Sequence, residues 1–226
     1  MAALPEWKGL RVLVAGDVIL DRFIHGSVTR ISPEAPIPVV EVTEEKLLPG
    51  GAANVANNIQ AFGGIPLLIG AVGDDQNGEV FRQVLRGMGI PVGGLVEVPD
   101  RVTTVKSRII AHHQQVVRVD REVRTALPQP YQRLLLGQIE EELPTCAALV
   151  ISDYAKGVFD PPFLADIGRA ARRHDRPFVV DPKPAHFPYP GATVVTPNRD
   201  EASGFFGRSF DSDADESLIL VARREA

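Results

Sequence analysis

Apolar runs of strand length alternate with helical patterns along most of this 226-residue chain, and this alternation restricts it to few folds. Residues 10–15 (LRVLVA) form a continuous apolar run ending in Gly16-Asp17, as expected of a strand buried on both faces. Residues 52–62 read as a helix of small side chains, with Ala52, Ala56, Ile59 and Gly63 along one side, able to approach a sheet closely. Residues 65–72 form a second buried strand. Residues 78–88 are helical, with Gly89 closing the last turn. Apolar residues at 131, 135, 139 and 143 give the stripe of another helix over 130–143. Residues 147–152 read as a strand. Asp160-Pro161-Pro162 then supplies an N-cap and first-turn prolines for a helix running through Phe163, Leu164, Ile167 and Ala171. Residues 177–180 and 193–196 are two more short strands. Such an order implies βαβ units and a mostly parallel sheet.

Two stretches break the rhythm. Residues 38–47 and 103–120 read as strands without intervening helices, the second as a hairpin of 104–111 and 116–120 around 112–115. Thr104, Lys106 and Arg108 alternate with Val105, Ser107 and Ile109, so this hairpin has a polar face. The expectation is a small antiparallel sheet apart from the main one, with residues 32–38 a rigid, proline-rich connector.

Composition removes several classes of function. The net charge of −5 comes without any basic run, which argues against nucleic acid as a partner. One cysteine, Cys146, allows neither a disulfide framework nor a cysteine-rich zinc site. Residues 1–10 lack the apolar core of a signal peptide, and the longest apolar runs are too short to span a bilayer. A soluble, cytoplasmic protein with no membrane partner is expected. His112-His113 sits in or beside a strand, where neighbours point to opposite faces, so joint chelation of a metal is not expected.

Ligands of open parallel sheets bind beyond the carboxyl ends of the strands. Four expected strands end on Asp17, Asp153, Asp181 and Asn198. The preference of Asp and Asn for turns and caps accounts for any one of them; four at one edge point to a polar site. No phosphate loop of the G-x-x-x-x-G-K type and no G-x-G-x-x-G after the first strand is present. More specific is Pro49-Gly50-Gly51-Ala52-Ala53-Asn54-Val55-Ala56, followed by Gly63-Gly64 and by Gly70-Ala71-Val72-Gly73-Asp74-Asp75. Two glycines at a helix start open backbone N–H groups to a ligand, and Asn54 can both donate to and accept from a sugar hydroxyl.

This run resembles the N-terminal signature of the ribokinase-like (PfkB) carbohydrate kinases. The resemblance implies an α/β, ribokinase-like fold: a mostly parallel central sheet flanked by helices, and a small antiparallel β lid over about residues 24–48 and 102–121. Within that family, Gly16-Asp17-Val18-Ile19-Leu20-Asp21-Arg22, Arg30-Ile31-Ser32-Pro33-Glu34-Ala35-Pro36, Ser152-Asp153-Tyr154-Ala155-Lys156-Gly157 and Val180-Asp181-Pro182-Lys183 resemble the D-glycero-β-D-manno-heptose 7-phosphate kinases. By that resemblance Asp17 is a ligand of sugar hydroxyls, Gly50, Gly51 and Asn54 line the same sugar, and Asp153 lies at the sugar–phosphate junction. Lys156 offsets phosphate charge on the sugar side and Lys183 on the ATP side, and Arg108 faces the sugar's own phosphate. Asn198-x-x-Glu201 resembles the family motif that holds Mg2+ through water, and equally has the spacing of a helix capping box. ATP and Mg2+ are the implied cofactors, a small sugar phosphate the substrate, and a second copy clasped through the lid the partner.

The family's second signature, a Gly-Ala-Gly-Asp-like run carrying the general base, does not occur in the 226 residues. The resemblance therefore places the catalytic base outside them and makes residues 1–226 the N-terminal portion of a kinase domain, expected to be inactive alone. Two alternatives stay open: a non-catalytic sugar-phosphate binding or assembly module, and a PfkB kinase of another sugar.

Overall fold

A computed structural model describes residues 7–112, 114–207, 209 and 220–221. The chain runs β1 (Arg11–Gly16), β2 (Val18–Ile31), β3 (Pro38–Gly51), α1 (Ala52–Ala61), β4 (Ile65–Gly73), α2 (Gln76–Gly87), β5 (Leu95–Val98), β6 (Val105–Ala111) and β7 (Gln114–Arg121). It continues with α3 (Gln129–Glu142), β8 (Ala148–Ser152), α4 (Pro161–Arg173), β9 (Phe178–Asp181), β10 (Val194–Val195), α5 (Arg199–Phe206) and β11 (Leu220–Val221). Among the described residues no helix is long and apolar enough to cross a membrane.

The larger sheet has the order β11-β10-β9-β8-β1-β4-β5, parallel throughout except for β11. Its central strand explains the unbroken apolar run. Leu13 and Ala15 point into one core, with Leu135 and Ile139 of α3 and Phe163, Leu164 and Ile167 of α4. Val12 and Val14 point into the other, with Ala52, Ala53 and Ala56 of α1 and Phe81 and Leu85 of α2. Alternation of side chains across a pleat makes both faces apolar, which only a sheet covered on both sides tolerates. The small side chains of α1 serve close approach: a Cβ at Gly16 would crowd Ala52 Cβ at 2.9 Å as well as the Ser152 backbone. Gly63 is the exception in the expected helix face. It lies exposed past the end of α1, with φ of +86°.

Caps follow local chemistry. Asp160 Oδ1 accepts from the Phe163 N–H at 2.8 Å and opens α4 as expected. Asp75 caps α2 by accepting from the Gly78 N–H at 2.8 Å, so this helix starts two residues earlier than its apolar stripe.

The second sheet has the order β3-β2-β6-β7. It is mixed: β2–β3 and β6–β7 pair antiparallel, but β2–β6 pair parallel. The reason is connectivity. The chain leaves this sheet after β3, builds α1, β4, α2 and β5, and re-enters at the same end. The lid strands also reach further inward than expected. β2 begins directly after Asp17, and its first residues Val18, Ile19 and Leu20 are buried. His113 lies outside the described residues, so the reading of the His112-His113 pair stays with the sequence.

Candidate functional site

Strands β10, β9, β8 and β1 are consecutive neighbours and all parallel, so their carboxyl ends share one edge. The ladder brings Asp17, Asp153, Asp181 and Asn198 together as the sequence predicts. The Asp17 N–H donates to Ser152 O at 3.1 Å, and the Asp153 N–H to Asp181 O at 3.1 Å. The lid is joined to this edge. Val18 pairs with Gly51 across the first rung of β2–β3, and the Ala52 N–H donates to Asp17 O at 3.0 Å.

The two glycines make that joint possible. Gly51 has φ of +58° and ψ of −135°, open to glycine and strained for any other residue, and a Cβ there would overlap the Asp17 carbonyl oxygen. A Cβ on Gly50 would overlap the Asp21 carboxylate instead. No side chain caps the α1 N-terminus. Asn54, in its first turn, is exposed and has no hydrogen-bond partner among the described residues. Gly50 and Gly51 are themselves buried in the β2–β3 pairing, and the Ala52 N–H is taken up by Asp17, so Asn54 is the exposed group of this helix start.

Asp17 is buried at the end of β1 and bonded to backbone. It is 2% exposed, and its Oδ2 accepts from the Tyr154 N–H at 2.8 Å and the Lys156 N–H at 3.1 Å. Its Oδ1 accepts a longer bond, 3.4 Å, from the Val158 N–H. Burial pushes the carboxyl above its ordinary range and the neighbouring Asp153 adds to this, while the three backbone donors pull it back. Asp17 therefore fastens the 154–158 loop to the end of β1, while its Oδ1, with one long bond, keeps accepting capacity.

Asp153 is fastened likewise. It is fully buried; Oδ1 accepts from the Ala155 N–H at 2.8 Å, and Oδ2 lies 2.6 Å from His186 Nδ1 and accepts from the Tyr189 hydroxyl at 2.7 Å. Burial and the adjacent Asp153 carboxylate push the Tyr189 hydroxyl up. Asp153 thus ties the segment after β9 to the end of β8. Asp181, half-buried, is held above its usual range by burial and by Glu201, against the pull of Lys183.

The expected cations are present and mostly paired. Lys156 Nζ lies 2.6 Å from Glu122 Oε2, both side chains 11% exposed. Burial alone would raise the Glu122 carboxyl, but the bonds from Lys156 and Arg124 outweigh it and hold the group below its ordinary value. Arg108 pairs with Asp21 and stacks over the Phe23 ring at 5.1 Å. Lys183 pairs with Glu201. The Asn198–Glu201 capping box is complete: Asn198 Oδ1 accepts from the Glu201 N–H at 2.9 Å, and Glu201 Oε2 from the Asn198 N–H at 2.9 Å. Among the described residues no three His, Cys, Asp or Glu could hold a metal together.

The sequence reading passed over Asp21. It lies on β2 beside Gly50, partly exposed, bound to a side chain and not to backbone donors. That makes it the carboxylate of this joint best able to exchange a partner. Its place as the second acid of Gly16-Asp17-Val18-Ile19-Leu20-Asp21 was the available signal. Tyr154, His186, Tyr189 and Glu122 carried no signal of their own, since each enters through contacts distant in sequence.

The family model of the pfkB family carbohydrate kinases matches residues 11–223. Among curated proteins, the bifunctional protein HldE of Paramagnetospirillum magneticum is 42% identical over 222 residues, 98% of this chain and 45% of that protein. The bifunctional protein HldE of Alkalilimnicola ehrlichii is 43% identical over 225 residues, 99% of this chain and 45% of that protein. The chain thus spans about half the length of the curated relatives it matches. Among solved structures, the tetrameric inhibited form of phosphofructokinase-2 from Escherichia coli aligns with a TM-score of 0.68 at 21% identity, covering 92% of this chain and 67% of that one. Ribokinase from Arabidopsis thaliana aligns with a TM-score of 0.65 at 14% identity, covering 92% and 66%. At these identities the structural likeness is one of fold.

Proposed function

The chain belongs to the pfkB family of carbohydrate kinases, and from that membership we propose that it forms the sugar-binding part of a kinase for D-glycero-β-D-manno-heptose 7-phosphate. In this reading the anomeric hydroxyl receives the γ-phosphoryl group of ATP in an enzyme of the cytoplasm. The observation that carries it is the joint at Asp17, Gly50 and Gly51. Two of the four crossings between the main domain and the lid, β1 to β2 and β3 to α1, meet there, and the two glycines let their backbones pack side by side at the polar strand edge. The runs Arg30–Pro36 and Ser152–Gly157 support the heptose in particular.

Within this reading Gly50, Gly51, Asn54 and Asp21 face the sugar. Asp17 and Asp153 act by holding the loops that bear Tyr154, Lys156 and His186. Lys183, with 30% of its side chain exposed, faces the phosphates of ATP. Magnesium favours oxygen ligands, keeps several waters and commonly arrives on substrate phosphates. The buried Glu201 and exposed Asn198 fit such a role through water and not as a protein cage. The box they form presents an ordered helix start to those phosphates.

Full-length protein with ATP, Mg2+ and the heptose 7-phosphate should yield a product with a second phosphate on the anomeric carbon, read by phosphorus NMR. Faster turnover of fructose 6-phosphate or of a nucleoside would overturn the choice of sugar. Saturable sugar-phosphate binding without any phosphoryl transfer would favour a binding module.

The lid further suggests a homodimer. Val117 and Val119 share one face of its edge strand β7 and are 45% and 53% exposed, apolar side chains beside the outer edge of the sheet. A second copy clasped there would cover them. Light scattering of the full-length protein at micromolar concentration should give a dimer, and a strict monomer would refute this.

A further inference from the structure

We propose that Lys106, on lid strand β6, is the seat for the phosphate that the sugar substrate already carries, a role separate from contacts to the group being transferred. The inference deepens the proposed function and rests on its reading of the cleft as a site for a phosphorylated sugar.

The argument starts from strand register. Lys106 stands opposite Asp21 on β2 and opposite Asp120 on β7. Either carboxylate could neutralise it, and neither does. Asp21 pairs with Arg108, and Asp120 accepts from Arg118 through Nε at 2.9 Å and a terminal nitrogen at 3.1 Å. The other nearby cations are matched as well, Lys156 by Glu122 and Lys183 by Glu201. Of these five cations only Lys106 lacks an ion-pair or hydrogen-bond partner among the described residues. It is not a free surface lysine either. It is half-buried, and its Nζ reaches across the cleft to 5.7 Å from the Tyr154 ring centroid, a ring that Lys183 approaches at 5.4 Å.

An ammonium held this way is short of counter-charge. Burial lowers its affinity for the proton, as does the proximity of Lys156, and Asp120 and Asp21 compensate only in part. A dianionic group arriving at Lys106 would restore the balance and gain charge-assisted hydrogen bonds. Position decides which phosphate this is. Lys106 belongs to the lid and neighbours Asp21, which abuts Gly50 on the sugar side. Lys183, continuous with the Asn198–Glu201 box, belongs to the strand ends of the main sheet. Arg108, which the sequence favoured for this phosphate, is engaged by Asp21 and stacked on Phe23.

The test uses Lys106→Gln and Lys106→Arg in the full-length protein. Losing one charge-assisted contact should raise KM for the sugar phosphate by about tenfold to a hundredfold. KM for ATP should stay within about twofold, and Lys106→Arg should recover much of the loss. Inorganic phosphate should compete with the sugar phosphate in the parent protein and weakly or not at all in Lys106→Gln. An unchanged KM for the sugar phosphate, or a rise confined to KM for ATP, would overturn the proposal. A parent protein that accepts only unphosphorylated sugars would instead refute the underlying reading. In that event calorimetry with inorganic phosphate alone still decides: binding lost in Lys106→Gln supports an anion seat, and equal binding removes it.

Discussion

The floor of the cleft and its lid handle charge in opposite ways. On the floor, Asp17 and Asp153 are buried and satisfied largely by backbone N–H groups, a tyrosine hydroxyl and a histidine. On the lid, Asp21, Asp120, Arg108 and Arg118 meet as side-chain pairs that retain solvent contact. Backbone donors fixed by a parallel sheet cannot rearrange without unfolding their loops, whereas exposed ion pairs exchange partners at little cost. The floor is built to be rigid before any ligand arrives. The lid's pairs, partly open to solvent, are free to exchange.

Substitutions should expose this contrast, beginning with the floor. Asp17→Ala strands the N–H groups of Tyr154, Lys156 and Val158, and should cost about 3 kcal/mol or more in denaturant unfolding of the full-length protein. Asp21→Ala should leave stability within about 1 kcal/mol and lower kcat/KM for the sugar phosphate about tenfold to a hundredfold. Equal stability losses would erase the distinction between floor and lid.

The neighbouring glycines sharpen it within one joint. Gly51→Ala combines a positive φ with a clash against fixed backbone and should cost about 2–3 kcal/mol. Gly50→Ala meets chiefly the Asp21 carboxylate, a group able to swing aside, with the Ile19 Cβ at 3.3 Å a milder contact. Its thermal midpoint should hardly move, while KM for the sugar rises.

Titration separates the regions with a smaller effect. Asp17 has its folded value raised, so its contribution to stability is full below the unfolded value and is lost as pH rises through the folded one. Glu122, at the foot of the lid, has its folded value lowered, so its contribution is present above the unfolded value and is lost as pH falls through the folded one. Unfolding midpoints measured between about pH 3 and 7 should show Asp17→Asn removing a decline toward neutral pH. Glu122→Gln should remove a decline toward acid. Identical changes in the two profiles would contradict the assigned shifts. Smallest of all, Arg118→Gln on the exposed lid pair should change stability by no more than about 0.5 kcal/mol.

Much of this arrangement was legible before any coordinates. The continuous apolar run of residues 10–15 and the helical stripe over 130–143 are local patterns, and both elements form where expected. Asp160 with its prolines marks a helix start whose capping bond is a three-residue affair. The capping box of Asn198 and Glu201 is equally local, and it forms. The roles of Asp17 and Asp153 were not legible, since whether a carboxylate opens onto a ligand depends on donors brought from 137 residues away in the case of Tyr154 and Asp17. Lys106 was legible only as one of three polar residues on a pleat, because its lack of a partner follows from two cross-strand acids being claimed by other side chains.

The sequence by itself determined the alternation of strands and helices, the separate lid and the polar carboxyl edge, because apolar periodicity, caps and glycines act over a few residues. Only the tertiary structure decided that β2 and β6 run parallel, that Asp17 meets a loop and that Lys106 stands unpaired among the described residues. Register and charge partnership are set by which distant strands and loops come to lie side by side, and no local pattern encodes that choice.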